Sequence, residues 1–204
     1  DACQTPQFHR HWWRSYVAVN KRFAEIAAEH ASENARVLVQ DYHLQLVPGM
    51  LRELRPDLRI GFFLHIPFPP QELFAQLPWR KRILEGLLGA DVVGFQTRFG
   101  AQNFVRLVNR FTSYRGSGQA VSVDERRVEA REFPISIDVE RIQSLAADPT
   151  IIAKAREIHE ELGVGRTVLL GVDRLDYTKG IDNRLRAFHE LLISGQHDVN
   201  DVVL

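Results

Sequence analysis

Thr167-Val168-Leu169-Leu170-Gly171-Val172-Asp173-Arg174-Leu175-Asp176-Tyr177-Thr178-Lys179-Gly180 passes from a short, nearly all-apolar run into a turn that carries two cations. Leu185, Phe188, Leu191 and Leu192 then recur at helical spacing, so the segment reads as buried strand, turn and helix. In an open α/β sheet such a turn lies at the carboxyl edge of a strand, where ligands collect. Arg174 offers a flat fork of donors matched to phosphate oxygens. Lys179 offers a compact charge near a helix amino end, which already favours anions. The pattern predicts an α/β fold with a diphosphate held in this turn.

Working outward, the same alternation recurs. Val37-Leu38-Val39 reads as a buried strand ending at Gln40-Asp41, and Pro48 suits the first turn of the helix that follows. Ile60 to Leu64 forms the next strand, which Pro67, Pro69 and Pro70 terminate because proline cannot donate to a ladder. A short helix is expected around Glu72 to Leu77, then a longer one with Ile83, Leu84, Leu87 and Leu88 inward. Asp91 to Phe95 reads as a strand, and Phe104, Leu107, Val108 and Phe111 mark the helix after it. Near the start, Trp12, Tyr16, Val19, Phe23 and Ile26 form one helical stripe, which the spacing assigns to core packing. From Thr112 to Arg131 the pattern breaks into Ser, Gly and charge, predicting a peripheral hairpin around Gly116 and Gly118. Ile151, Ile152, Ala155, Ile158 and Leu162 make a helix closed by Gly163. Strands separated by helices imply parallel sheets with right-handed crossovers. The expected division is 1–164, one sheet plus a linking helix, and 165–204, the start of a second.

Composition narrows the function classes. The 204 residues are 45% hydrophobic and 25% charged, ordinary globular material. Lys plus Arg and Asp plus Glu number 26 each, so no global field attracts nucleic acid or an anionic membrane. No apolar run approaches the roughly 20 residues needed to cross a bilayer. The single cysteine, Cys3, cannot form an internal disulfide and fits a reducing cytoplasm. Because the chain starts without methionine and stops in an apolar strand-like run, Asp201-Val202-Val203-Leu204, it is expected to be a fragment.

Polar groups stand where the apolar strands end: Asp41 with His43, His65, Gln96 with Thr97, and Asp173 with Arg174. Taken singly, an Asp or His after a strand is more often a cap or a satisfied turn residue. Repetition of the same polarity at successive exits argues for a cleft along that edge. Other motifs are weaker. Gly163-Val164-Gly165 precedes its strand, so it reads as helix termination. His9 and His11 lack a third nearby ligand for a metal, and Arg80-Lys81-Arg82 reads as a solvated helix face. No Asp-x-Asp follows any strand, so the sequence offers no paired-carboxylate metal clamp there.

Arg174-Leu-Asp-Tyr-Thr-Lys-Gly180, Val39-Gln-Asp-Tyr-His-Leu44, Gly61-Phe-Phe-Leu-His-Ile-Pro-Phe-Pro69, Gly94-Phe-Gln-Thr97 and Phe133-Pro-Ile-Ser-Ile-Asp138 are long, specific blocks. Together they resemble the retaining glucosyltransferases called trehalose-6-phosphate synthases, over nearly the whole chain. The resemblance implies a GT-B type fold of two Rossmann-like, doubly wound parallel-sheet domains. Residues 1–164 would be part of the amino-terminal, acceptor-side domain plus its linker helix, and 165–204 the start of the nucleotide-sugar domain. It implies that Arg174 and Lys179 hold the donor diphosphate, Asp41 contacts glucose 6-phosphate, His65 faces the donor glucose, and Ile66 walls the pocket that selects the acceptor anomer. Asp41, His65 and Arg174 are thus the catalytic candidates. The implied partners are a nucleotide sugar, UDP-glucose, and a sugar phosphate, with no cofactor, metal, nucleic acid or membrane; a homo-oligomer is left open. Another phosphorylated acceptor such as glycerol 3-phosphate, or a non-catalytic relative that binds sugar phosphates, also remains open. Missing its neighbours, the fragment alone is not expected to turn over substrate.

Overall fold

The computed structural model describes residues 6–204, so Cys3 lies outside the described residues. The chain divides into two compact units, Asp1–Ser136 and Ile137–Leu204.

In the first unit the order is α1 (Arg10–His30), β1 (Arg36–Gln40), a 3₁₀ turn (Tyr42–Leu44), α2 (Val47–Leu54), β2 (Arg59–Leu64), α3 (Gln71–Phe74), α4 (Arg80–Leu87), β3 (Val92–Phe95), α5 (Arg98–Phe111), β4 (Arg115–Ser117), β5 (Ala120–Val123) and β6 (Arg126–Glu132). The sheet runs β1-β2-β3-β6-β5-β4. Its first four members are parallel, and β5 and β4 add antiparallel. Register explains the layering. Val39, Phe62, Val93 and Ala130 lie side by side across the parallel strands. All are buried, in one core with Leu51, Leu84, Phe104 and Leu107 from α2, α4 and α5. The neighbouring row, Leu38, Gly61, Val92 and Glu129, projects to the opposite side, as strand alternation requires. Leu38 there is exposed. A Cβ at Gly89 would strike the backbone of Pro48 and Gly49, so only glycine lets the α4–β3 loop lie this close to α2.

Two expectations need correction. Of the expected stripe Tyr16 packs on the core, but Trp12, Val19, Phe23 and Ile26 are exposed, and α1 turns Trp13, Tyr16, Val17, Asn20, Ala24, Ala27 and Ala28 inward. The two stripes are adjacent on the helix, and the one with small residues admits the closer approach to α2, the element α1 packs on most. The segment expected to be a peripheral hairpin does form β4 and β5 around Gly118. Yet Val121, Val123, Val128 and Ala130 from β5 and β6 are buried, because alternation turns every second residue of these polar-looking strands inward.

The second unit holds α6 (Val139–Ala146), α7 (Pro149–Leu162), β7 (Thr167–Val168), a 3₁₀ turn (Tyr177–Lys179), α8 (Ile181–Ile193) and β8 (Val202–Val203). Helix α6 starts at Asp138, whose side chain accepts from Arg141 N at 2.9 Å, and α7 starts at Asp148, which accepts from Thr150 N at 2.8 Å. Helix α7 ends at Gly163, where φ is 105°. The buried strand expected over Thr167–Val172 is a correction too: β7 spans two residues, pairs only with β8, and Leu170 is 83% exposed. A parallel strand is buried by neighbours on both flanks and layers on both faces, and β7 has one short neighbour.

Candidate active site

The chain leaves β1 through Asp41, whose amide continues the parallel ladder by donating to Phe63 O at 2.8 Å. Asp41 then takes φ 67° and ψ 172°, a conformation that a residue with a Cβ adopts only when its surroundings hold it there. Its Oδ1 accepts from Tyr42 N at 2.9 Å and from His65 N at 3.3 Å. One carboxylate therefore ties together the exits of β1 and β2. His65 follows β2, and its Nε2 lies 2.8 Å from Gln40 Oε1. With Nε2–H donating to that oxygen, a neutral ring keeps Nδ1 as its free acceptor. The ring meets Phe63 edge to face at 4.8 Å. Ile66, next along, is exposed. His65 and Gln40 also border an apolar cavity of about 440 Å³ whose other walls include Leu38, Phe63, Phe133 and Ile135.

The remaining exits of this unit are structural. Thr97 caps α5 by accepting from Gly100 N at 3.3 Å, Gln96 Nε2 donates to Ile135 O at 2.8 Å, and the His43 ring stacks on Tyr42 at 3.9 Å. Nor is Arg80-Lys81-Arg82 wholly a solvated face: Arg80 lies over Phe111 at 5.1 Å and Arg82 over Trp13 at 5.6 Å.

In the second unit Arg174 and Lys179 flank a single carboxylate. Asp176 Oδ1 accepts from Thr178 N at 2.9 Å and from Thr178 Oγ1 at 2.8 Å. These two bonds, amide first, hold its pKa below the usual carboxylate value, and the nearby charges of Arg174 and Lys179 add to the effect. An Arg174 guanidinium nitrogen stands 3.9 Å from Asp176, with the Arg174 side chain 84% exposed. Lys179 and Gly180 lead into α8, which has no side-chain cap at its amino end. Asp173 is held by Arg184, which is packed against Gly171, so it braces the turn.

The sequence-predicted positions thus form two groups, each within its own unit: Asp41, His65 and Ile66 in one, Arg174 and Lys179 in the other. Sequence reading passed over Gln40 and Asp176. The signal for Gln40 was a polar residue closing an apolar strand; that for Asp176 was an Asp two residues before a Thr, the Asx-turn spacing. Among the described residues no group of three or more His, Cys, Asp or Glu is arranged to hold a metal. No helix there is long and apolar enough to cross a membrane.

A parallel-dominated sheet with ionisable residues at its carboxyl edge is a doubly wound α/β arrangement, of the kind GT-B glycosyltransferases use. The chain belongs to glycosyltransferase family 20, whose family model matches residues 1–204. It is 56% identical over 213 aligned residues to the trehalose-6-phosphate synthase of Mycobacterium sp. (strain JLS), covering all of this chain and 44% of that protein. Among solved structures it is similar to an α,α-trehalose-phosphate synthase (UDP-forming) from Burkholderia xenovorans in complex with glucose-6-phosphate. The TM-score is 0.81 at 31% identity, over 96% of this chain and 44% of that one. It is also similar to the trehalose-6-phosphate phosphatase N-terminal domain of Candida albicans, with a TM-score of 0.82 at 29% identity, over 98% and 44% of the two chains. The chain therefore spans less than half the length of the relatives it matches.

Proposed function

We propose that the full-length protein transfers glucose from UDP-glucose to glucose 6-phosphate with retention, giving α,α-trehalose 6-phosphate. The observation that carries this reading is the match of family 20 along all 204 residues, and Asp41, His65, Arg174 and Lys179 are the residues we assign to its site. The Burkholderia relative, named as UDP-forming and bound to glucose-6-phosphate, supports both the donor and the acceptor.

Transfer from a nucleotide sugar needs a stabilised leaving group more than a protein nucleophile. As the anomeric carbon separates from the diphosphate, negative charge grows on phosphate oxygens while the sugar becomes oxocarbenium-like. Arg174 and Lys179 oppose that charge, and their effect is largest in the transition state. Retention follows from attack on the face the leaving group vacates, with the departing phosphate taking the acceptor's proton. Asp41 then orients the acceptor, His65 faces the donor glucose and Ile66 shapes the acceptor pocket. No covalent link to the protein is needed, so the paired carboxylates of glycosidases have no counterpart. In this reading residues 1–164 belong to the acceptor-side domain with its linker helix and 165–204 open the nucleotide-sugar domain, in the cytoplasm.

A second reading is favoured by the Candida structure, in which a similar fold is the N-terminal domain of a protein named for a phosphatase. There the chain would bind sugar phosphates without transferring glucose. One assay separates the two. Full-length protein is incubated with several nucleotide glucoses and with glucose 6-phosphate or glycerol 3-phosphate, and products are identified. Trehalose 6-phosphate is expected, and Arg174→Ala should slow its formation by about ten- to a hundredfold with the fold preserved, the worth of one charge-assisted contact. Binding without turnover would favour the second reading, and full activity of Arg174→Ala would sink the first.

A further inference from the structure

Asn20 is completely buried in an apolar core, on the α1 face otherwise made of aliphatic and aromatic residues. A polar amide is costly there unless each of its groups is used. Its Nδ2 donates to Tyr16 O at 2.9 Å and to His43 O at 3.0 Å, while its Oδ1 accepts from Leu46 N at 3.0 Å. One helical turn earlier, Tyr16 Oη donates to Tyr42 O at 2.7 Å and accepts from Gln45 N at 3.1 Å. Two side chains of α1 thus hold the backbone of Tyr42, His43, Gln45 and Leu46, nearly the whole turn that follows Asp41. Burial raises the Tyr16 pKa to about 12, against the opposing bond from the Gln45 amide, so its hydroxyl keeps the proton it donates.

A leucine at position 20 would pack α1 as well but would leave Leu46 N and His43 O without their partner, so the amide answers to the turn and not to the packing of α1. Asp41 holds a positive φ with one carboxylate oxygen shared between Tyr42 N and His65 N, and a strained residue persists only where its surroundings over-determine it. We propose that Tyr16 and Asn20 are positioning residues: by clamping the 42–46 turn from α1 they set where the Asp41 carboxylate stands, and through it how the sugar-phosphate acceptor is held. The proposal rests on the reading that Asp41 contacts the acceptor.

The test uses full-length protein and the variants Tyr16→Phe and Asn20→Ala. Tyr16→Phe should raise KM for glucose 6-phosphate about tenfold, the size of one lost buried hydrogen bond, and leave KM for UDP-glucose unchanged. A residue serving stability alone would lower Tm, with activity falling only in proportion to the folded fraction and both KM values unmoved; that result overturns the proposal. If the unmutated protein transfers glucose to no sugar phosphate, it is the assignment of function that fails, and amide exchange then judges the clamp. Faster exchange reaching Tyr42 and His65, the two donors to Asp41, supports it. Faster exchange confined to Gln45 and Leu46, which lose their direct partners, overturns it.

Discussion

Residues up to Ser136 enclose a continuous core, whereas from Ile137 onward the only fully buried apolar side chain among the described residues is Val202. Both stretches alternate strand and helix, and both have apolar stripes at the proper spacing. The difference lies in partners. In the first unit Phe62 on β2 has parallel strands on both sides and helices over it; in the second, β7 has one two-residue neighbour. The candidate site follows the same division. Asp41 and His65 are fixed by bonds to the backbone and to Gln40, while among the described residues the Arg174 guanidinium has a loose contact with Asp176 at 3.9 Å. Local pattern selects the element, and burial depends on what lies beside it.

The sharpest way to break this comparison is to truncate one side chain in each unit. Phe62→Ala in this 204-residue chain should cost about 3 to 5 kcal/mol, the loss of a fully buried ring plus the cavity left behind. Ile158→Ala on α7, where the side chain is exposed, should cost about 0.5 kcal/mol or less. Urea unfolding curves measure both. Equal costs would mean that α7 is packed in solution on a surface the fold does not display.

A smaller effect compares two ion pairs. Arg52 donates to Gly89 O, Pro56 O and Leu58 O and to both oxygens of Asp91, and Asp91 in turn accepts from Ile60 N at 2.7 Å. This knot joins α2 to the starts of β2 and β3. Arg52→Met keeps the aliphatic stem and strands three carbonyls and a carboxylate, for about 2 to 3 kcal/mol. The lower part of the usual range applies because Arg126 stands 4.0 Å from Asp91 and can take up part of its charge. Burial, together with repulsion from Arg52, holds the Arg126 pKa below the usual guanidinium value, so losing Arg52 relieves one strain as it creates another. In the second unit Arg184, the more exposed of the two arginine side chains, donates to Asp173 without the three carbonyls that Arg52 serves, and Arg184→Met should cost about 1 kcal/mol or less. A reversal of that order in denaturant midpoints would overturn the contrast.

These contrasts also mark what the sequence could tell. Strand exits were legible because an apolar run ending in Asp41 or His65 signals a sheet edge without knowledge of neighbours. The face that α1 buries was not legible: Trp12, Phe23 and Ile26 are the more hydrophobic stripe, and the choice of Ala24, Ala27 and Ala28 instead depends on how closely α2 approaches. Val121 and Val128 were hidden among Ser, Gly and Arg because alternation in a short strand shows few residues per face. In the turn after β7, Arg174 and Lys179 stood out by charge, whereas the part played by Asp176 required seeing its carboxylate accept from Thr178.

Acid supplies the gentlest test. Asp57 accepts from Arg55 Nε and Nη2, each at 2.8 Å, and from Asn34 N at 2.9 Å, and these bonds, the guanidinium's first, hold its carboxyl far below the usual 3.8. A group whose pKa is depressed by folding contributes stability that is complete above its ordinary value and is lost as pH falls through the folded one. The loss from Asp57 therefore begins near pH 3.8 and deepens below it. Asp148 and Asp176 in the second unit are lowered as well, each chiefly by the threonine two residues on. Those bonds lie within a single turn, while Asp57 joins the α1–β1 loop to the α2–β2 loop. Asp57→Asn should accordingly be less stable than the parent at neutral pH and converge with it as acid protonates the parent. Asp148→Asn should differ from the parent in the same sense but by less, because its carboxyl is lowered less than that of Asp57. Urea midpoints taken at successive pH values display the two behaviours; an Asp57→Asn curve that runs parallel to the parent into strong acid would show that this carboxylate is not coupled to folding.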